Sequence, residues 1–271
     1  MPELPTDTAI HAPVQGTALV ADLRNFTPNL AADEERFCKL LARVDQLWVE
    51  ACMLAVPSAK RAAPPMVMGS TGDGIIAAFF DPEWHFGHAY LAGLMLQRAV
   101  HRETASYRTP ARSNRVGYGI GIESGRVRRV GASWRGGPKL DTVIGSCINV
   151  AARAEAVSKN LHKANTILGV RVTALLIEAL FQEDYRALME QRHARDDDDY
   201  VGRQRRMETL NQKLCLAYIQ KHKLRGVHRP TALFKVSLSA ARPGVPRFDR
   251  LLDGLVRGDH QHRAEVMSLL R

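Results

Sequence analysis

The stretch MVMGSTGDGIIAAFF, residues 66–80, decides the architecture. Two short apolar runs flank GSTGDG. Glycine supplies the positive φ that tight turns need, so the pattern reads as a β-hairpin within an antiparallel sheet. Upstream, TALVADLRNFTPNL (17–30) reads as a buried strand over 17–22 that ends on the lone acid Asp22 and breaks at NFTPN. An acid there is a helix cap, an ion-pair partner or a metal ligand. A second acid, Asp73, stands in the hairpin turn 51 residues later.

Outward from these stretches, strands alternate with helices. Residues 1–15 read as irregular. Residues 33–56 carry Phe37, Leu40, Leu41, Val44, Leu47, Trp48 and Ala51 at three- and four-residue spacing, an amphipathic helix. Pro57, Pro64 and Pro65 end it. A second helix is expected over 84–103. RVGYGIGIESGRVRRVG (115–131) reads as two strands joined by a turn at ESG. Further strands are expected at 140–145, 166–170 and 231–238. Helices are expected at 146–159, opened by a Ser146 cap, and at 172–182.

Residues 184–222 are charged, include Asp196–Asp199, and then show helical spacing at Met207, Leu210, Leu214, Leu216 and Ile219. They read as an insertion, a polar loop followed by a helix. The tail beyond 240 carries the apolar stripe Leu251, Leu252, Leu255 and Val256, and reads as helical. The expected fold class is α+β, a mostly antiparallel sheet covered by helices. The catalytic domain is expected over 1–240, with a helical tail over 241–271.

The chain has 271 residues, 45% hydrophobic and 24% charged, which reads as a soluble globular protein. No apolar run approaches the roughly 20 residues of a membrane span. No leader pattern opens the chain, so a cytoplasmic location is expected. Cys38, Cys52, Cys147 and Cys215 form no CxxC pair, which argues for free thiols over a zinc site or disulfides. The formal charge of +10 attracts polyanions in general. It is spread along the chain, without the zinc pattern or aromatic basic motif of a nucleic-acid reader, so neither nucleic acid nor membrane is an expected partner.

Neighbouring strands can bring a strand-end acid and a hairpin-turn acid together, and two adjacent carboxylates suit hard divalent cations, which keep phosphate oxygens among their ligands. The residues RNFT after Asp22 offer successive backbone N–H groups for phosphate. In GSCINVAARAE, Asn149 and Arg153 are four apart and share a helix face. An amide and a guanidinium there can orient a ribose and stabilise charge on phosphorus. Each feature has an ordinary reading too: a capping acid, an Asp-Gly turn, a solvent-exposed pair.

Taken in order, ALVADLRNFT, GSTGDGIIAAF, GIGIESGRV, VIGSCINVAARAEAVS and LRGVHRPTALFKV resemble the catalytic domains of class III nucleotidyl cyclases. The resemblance covers roughly residues 15–182 and 223–238. It implies a ferredoxin-like core and a head-to-tail homodimer with two shared active sites. Asp22 and Asp73 would hold two Mg²⁺ or Mn²⁺ ions, helped by the carbonyl of Leu23. Asn25, Phe26 and Thr27 would line the phosphates. Asn149 and Arg153 would come from the other subunit, orienting the ribose and bracing the α-phosphate. Arg225 or Arg229 would meet the terminal phosphates.

The family reads its base four residues before the second metal Asp and seven before the Asn. These positions are Gly69 and Thr142 here. Adenylate cyclases usually carry Lys with Asp or Thr, and guanylate cyclases Glu with Cys. Gly69 offers no side-chain contact, and an unpaired buried polar atom costs about 1–3 kcal/mol. Thr142 can donate and accept. The compact form resembles the stand-alone pyrimidine cyclases of bacterial Pycsar antiphage systems, whose cyclic product a separate effector reads. UTP is therefore the favoured substrate, with ATP and CTP as alternatives.

Overall fold

The structure, a computed structural model, describes residues 7–56, 65–69, 72–107, 116–133, 139–158, 166–169, 171–173, 175–176 and 216–236. The elements run β1 (Asp7–Ile10), β2 (Val14–Arg24), α1 (Phe26–Ala32), α2 (Glu34–Ala55), β3 (Met66–Gly69), β4 (Gly74–Phe79) and α3 (His85–Ser106). They continue with β5 (Gly117–Ser133), β6 (Lys139–Ile144), α4 (Ser146–Ser158), β7 (Thr166–Gly169), β8 (Leu216–His222) and β9 (Thr231–Val236).

The strands form one sheet in the order β3-β4-β2-β5-β7-β9-β8, with β1 and β6 on the far half of β5. Every pairing is antiparallel except β5 with β7. The hairpin expected at 66–80 forms as β3 and β4, and Gly72 in its turn has φ 106°.

Strand alternation sorts the side chains onto two faces. Leu19, Ala21 and Leu23 of β2, Ile75, Ala77 and Phe79 of β4, and Ile120 and Ile122 of β5 join the main core. Helices α2 and α3 cover that face with Phe37, Val44, Trp48, Leu91 and Met95. Each fully buried side chain of this size contributes about 1.5–3 kcal/mol. Helix α2 starts where Asp33 accepts the N–H of Arg36 at 3.1 Å, and Glu34 and Glu35 in the first turn complement the helix dipole. The start of α3 is tied to the sheet from inside. Thr17 Oγ1 lies 2.7 Å from His85 Nδ1 and 2.7 Å from Ser124 Oγ, all three residues buried. Burial lowers the pKa of His85, against the charge of Asp81.

Helix α4 covers the other face, where Ala18, Val127, Cys147 and Ala151 pack together. Glycines on β5 set how closely it approaches. A Cβ on Gly121 would collide with the Ala151 carbonyl oxygen and stand 2.6 Å from the backbone nitrogen of Glu155. Backbone atoms cannot step aside, so only glycine lets this helix lie here. Among the described residues no helix is long and apolar enough to cross a membrane.

Five expectations are corrected. The segment 115–131 is not two strands: β5 runs unbroken through Glu123–Gly125, because β2 pairs with that stretch and overrides its turn character. Residues 216–222 are not the end of an insertion helix but strand β8, held by β9. The N-terminal region contains strand β1, and NFTPN opens helix α1. Helix α4 already includes Ser146, so Gly145, whose carbonyl accepts the N–H of Ile148 at 3.2 Å, holds the cap position. The helix expected at 172–182 is helical at 171–173 and 175–176. The rest of that segment, the insertion before 216 and the tail beyond 240 lie outside the described residues.

Candidate active site

Asp22 occupies the third-last position of β2, opposite Gly74 of β4 on one side and Gly119 of β5 on the other. Beyond Gly74, the Asp73 carbonyl accepts the N–H of Leu23 at 2.9 Å. This bond extends the β2–β4 ladder by one step, so Asp73 stands opposite Leu23 and the backbones of the two aspartates lie one position apart at the end of adjacent strands. Both are half-buried, and Leu23 between them is buried. The chain then turns at Asn25, which takes the left-handed conformation at φ 61° and starts α1 at Phe26. Asparagine tolerates that region better than most residues. Asn29 locks the turn by donating its Nδ2 to the Asn25 carbonyl at 2.7 Å. Asn25 and Thr27 are exposed and Phe26 half-buried.

Asn149 and Arg153 stand on the exposed flank of α4, while Cys147, Ala151, Ala154, Glu155 and Ser158 form its buried side. Asn149 lines an open cleft of about 580 Å³, shared with Arg126, Arg128 and Ser146. One wall of the cleft, at Arg126, is remote from the strand position of Asp22. Arg126 is seven residues along β5 from Gly119, the partner of Asp22, or about 23 Å at the rise of an antiparallel strand.

Gly69 closes β3 opposite Ile75, and Thr142 sits half-buried on β6 opposite Val130. No strand pairing joins them. Arg225 and Arg229 are exposed in the connection between β8 and β9. That connection is anchored by buried Leu224, which packs with Ala154, Ile167 and Leu233. The anchor places the loop beside the half of α4 that carries Arg153.

Three features of the site escaped the sequence reading. Arg126 and Arg128 share the cleft with Asn149. Arg24 reaches from the Asp22 strand to α4. Glu123, read as part of a turn, is only 3% exposed under the start of α4. The alternation GYGIGIESG was the available signal, since a strand with small residues on one face invites a close neighbour.

Glu123 Oε1 accepts the N–H of Arg171 at 3.2 Å, while Oε2 is buried with no hydrogen-bond partner among the described residues. Burial pushes the carboxyl up from 4.5 to about 7, against the N–H groups of Ser124 and Arg171 and the Arg171 charge. Burial first, then the Glu123 charge, pushes the neighbouring Cys147 thiol to about 11. The fold therefore favours protonated Glu123. Its contribution is fully present below about pH 4.5 and is lost as pH rises through about 7. The total is about 3 kcal/mol. Glu123→Gln is expected to gain on the wild type in unfolding midpoint between pH 5 and pH 8. A difference that stays constant with pH would refute the assignment.

No protein-family model matches the chain, and no curated protein matches it by sequence. Solved structures do match. The chain is similar to the adenylyl cyclase CyaB from P. aeruginosa, with a TM-score of 0.58 at 15% identity over 88% of this chain and 100% of that one. It is similar to the guanylyl cyclase Cya2, with a TM-score of 0.52 at 15% identity over 88% and 98% of the two chains. It is also similar to the guanylate cyclase domain of RhGC from Catenaria anguillulae, determined in complex with GTP, with a TM-score of 0.52 at 15% identity over 83% and 96%. The chain thus has the fold of adenylyl and guanylyl cyclase catalytic domains.

Proposed function

We propose that the chain is a nucleotidyl cyclase that converts UTP to 3′,5′-cyclic UMP and pyrophosphate as a homodimer with two shared sites. The observation that carries this reading is the split of the expected groups. Asp22 and Asp73 are neighbours at one end of the sheet, whereas Asn149 lines a cleft whose wall at Arg126 stands about 23 Å along β5 from the partner of Asp22. In a head-to-tail dimer, each chain would present its Asn149 and Arg153 to the aspartates of the other.

The donors fit a hard divalent cation. Two carboxylates and the Leu23 carbonyl are oxygen ligands, and among the described residues no cluster of three or more His, Cys, Asp or Glu competes. Mg²⁺ or Mn²⁺ bound by few protein ligands leaves positions for water and phosphate. When bound, two such ions neutralise triphosphate charge and polarise the attacking and leaving oxygens. Asp22 and Asp73 hold the negative charge that retains them. Backbone N–H groups of Asn25, Phe26 and Thr27 receive phosphate oxygens. Asn149 of the second chain orients the ribose, and its Arg153 braces the α-phosphate. Arg225 or Arg229 meets the terminal phosphates. The 3′-oxygen bonds to the α-phosphorus, the bond from that phosphorus to the pyrophosphate oxygen breaks, and pyrophosphate and one proton leave.

Gly69 supports a pyrimidine, since it presents no side chain to a purine edge. The Thr142 hydroxyl can serve uracil, cytosine or adenine, which keeps cAMP and cCMP synthesis as second readings. A role in antiphage defence, with cUMP read by a separate effector, follows from the resemblance to pyrimidine cyclases. Incubation of the protein with each of the four nucleoside triphosphates and Mn²⁺, with products resolved by chromatography, tests the assignment. Cyclic UMP is expected as the main product. A cyclic purine would overturn the base assignment, and no cyclic product from any nucleotide would overturn the activity.

A further inference from the structure

Arg24 leaves β2 two residues after Asp22, yet its side chain is committed to α4. Its stem lies along β5, with Cδ, Cβ and Cγ at 3.5, 3.6 and 3.9 Å from where a Cβ on Gly117 would stand. Its Nη2 is 3.0 Å from the equivalent point on Gly119, where Ser158 Oγ at 2.7 Å and the Glu155 carboxylate also converge. The two glycines thus leave a lane across the strand, and the guanidinium fills it. At the far end Nη2 donates to Ser158 Oγ. That hydroxyl in turn donates to the Glu155 carbonyl at 2.5 Å. Ser158 is fully buried and Glu155 is 5% exposed. Burial lowers the pKa of Arg24, while Glu155 is the strongest charge opposing this and Asp22 the next.

Arg24 therefore acts as a strut between the end of β2 and the last turn of α4. Helix α4 spans only 13 residues, with Glu155 and Ser158 in its C-terminal half. Arg153 lies two residues before Glu155, so the strut sets where Arg153 stands. In a shared-site dimer, that Arg153 serves the nucleotide bound to the other chain's aspartates. We infer that Arg24 is a positioning residue for the active site across the dimer, acting through its own α4, although it lies beside its own Asp22. The inference rests on the shared-site reading above.

Heterodimers with one live site separate the two directions. In the first arrangement one chain carries Arg24→Gln with Asp73→Asn and the other Arg153→Ala. The live site then takes its α4 from the Arg24 variant. In the second, one chain carries Arg24→Gln with Arg153→Ala and the other Asp73→Asn. The live site then takes only its aspartates from the Arg24 variant. Each is compared with the same pair lacking Arg24→Gln.

The expected result is a kcat loss on the order of tenfold to a hundredfold in the first arrangement, with a much smaller change in KM. The loss in the second arrangement should be several-fold less, and Arg24→Lys should recover part of the activity in the first. Equal losses, or a larger loss in the second arrangement, would overturn the inference. If both parent pairs with wild-type Arg24 are inactive, the shared-site reading fails and takes the inference with it. Ser158→Ala, which removes the acceptor and keeps the cation, should give the same asymmetry at smaller size. It replaces Arg24→Gln if that variant does not fold.

Discussion

Asp73→Asn is expected to lower turnover by on the order of 10³-fold, equivalent to about 4 kcal/mol of barrier, while leaving the protein folded. The two halves of this prediction come from different atoms of one residue. The Asp73 carbonyl accepts the N–H of Leu23 at 2.9 Å and so extends the β2–β4 ladder. Asparagine keeps that carbonyl and almost the same shape. It also follows Gly72, whose φ of 106° forms the turn before position 73. What disappears is one of two negative charges at the end of the sheet. On the proposed two-metal reading, Asp22 alone would retain a cation poorly while a triphosphate binds. Product formation over a Mn²⁺ titration, with a thermal unfolding midpoint beside it, checks both halves. Undiminished activity would remove Asp73 from the metal site.

The second large effect is a gain. Asp22→Ala and Arg153→Ala should each be inactive alone, yet a mixture of the two should regain activity. In a heterodimer, the Arg153→Ala chain keeps both aspartates and receives an intact α4 from the Asp22→Ala chain. The other site loses both contributions. With random pairing in a two-fold dimer, about a quarter of the wild-type rate should return. The shared-site reading makes this possible because Asn149 and Arg153 stand exposed on one flank of α4, open to a second chain. A mixture that forms heterodimers and stays inactive would show that each chain completes its own site.

Local pattern and tertiary context divide these residues between them. The hairpin at 66–80 was legible because glycine and apolar alternation act over a few residues. The same holds for α2, whose expected stripe matches the buried set Phe37, Leu40, Val44, Leu47, Trp48 and Ala51, with only Leu41 less covered. The adjacency of Asp22 and Asp73 followed from pairing two strands that each carried its own signal. That Asn149 and Arg153 share one flank of α4 followed from helical periodicity, and the structure shows both exposed.

Glu123–Gly125 and Leu216–His222 show where local pattern fails. Intrinsic preferences for turn or helix amount to about 1 kcal/mol or less per residue. Ladder hydrogen bonds formed with distant strands outweigh them. Thus β2, a hundred residues upstream in sequence, holds β5 straight through a turn-like triplet, and β9 draws Leu216–His222 into the sheet. By itself the sequence determined the hairpin, the amphipathic helices and the two acids at strand ends, because those depend on neighbours along the chain. Only the tertiary structure decided that Arg24 crosses two glycines to reach α4, that Glu123 is buried beneath that helix, and that Asn149 shares a cleft with Arg126 and Arg128. Each of these depends on which surfaces a folded chain presses together, and no spacing within a single segment encodes that.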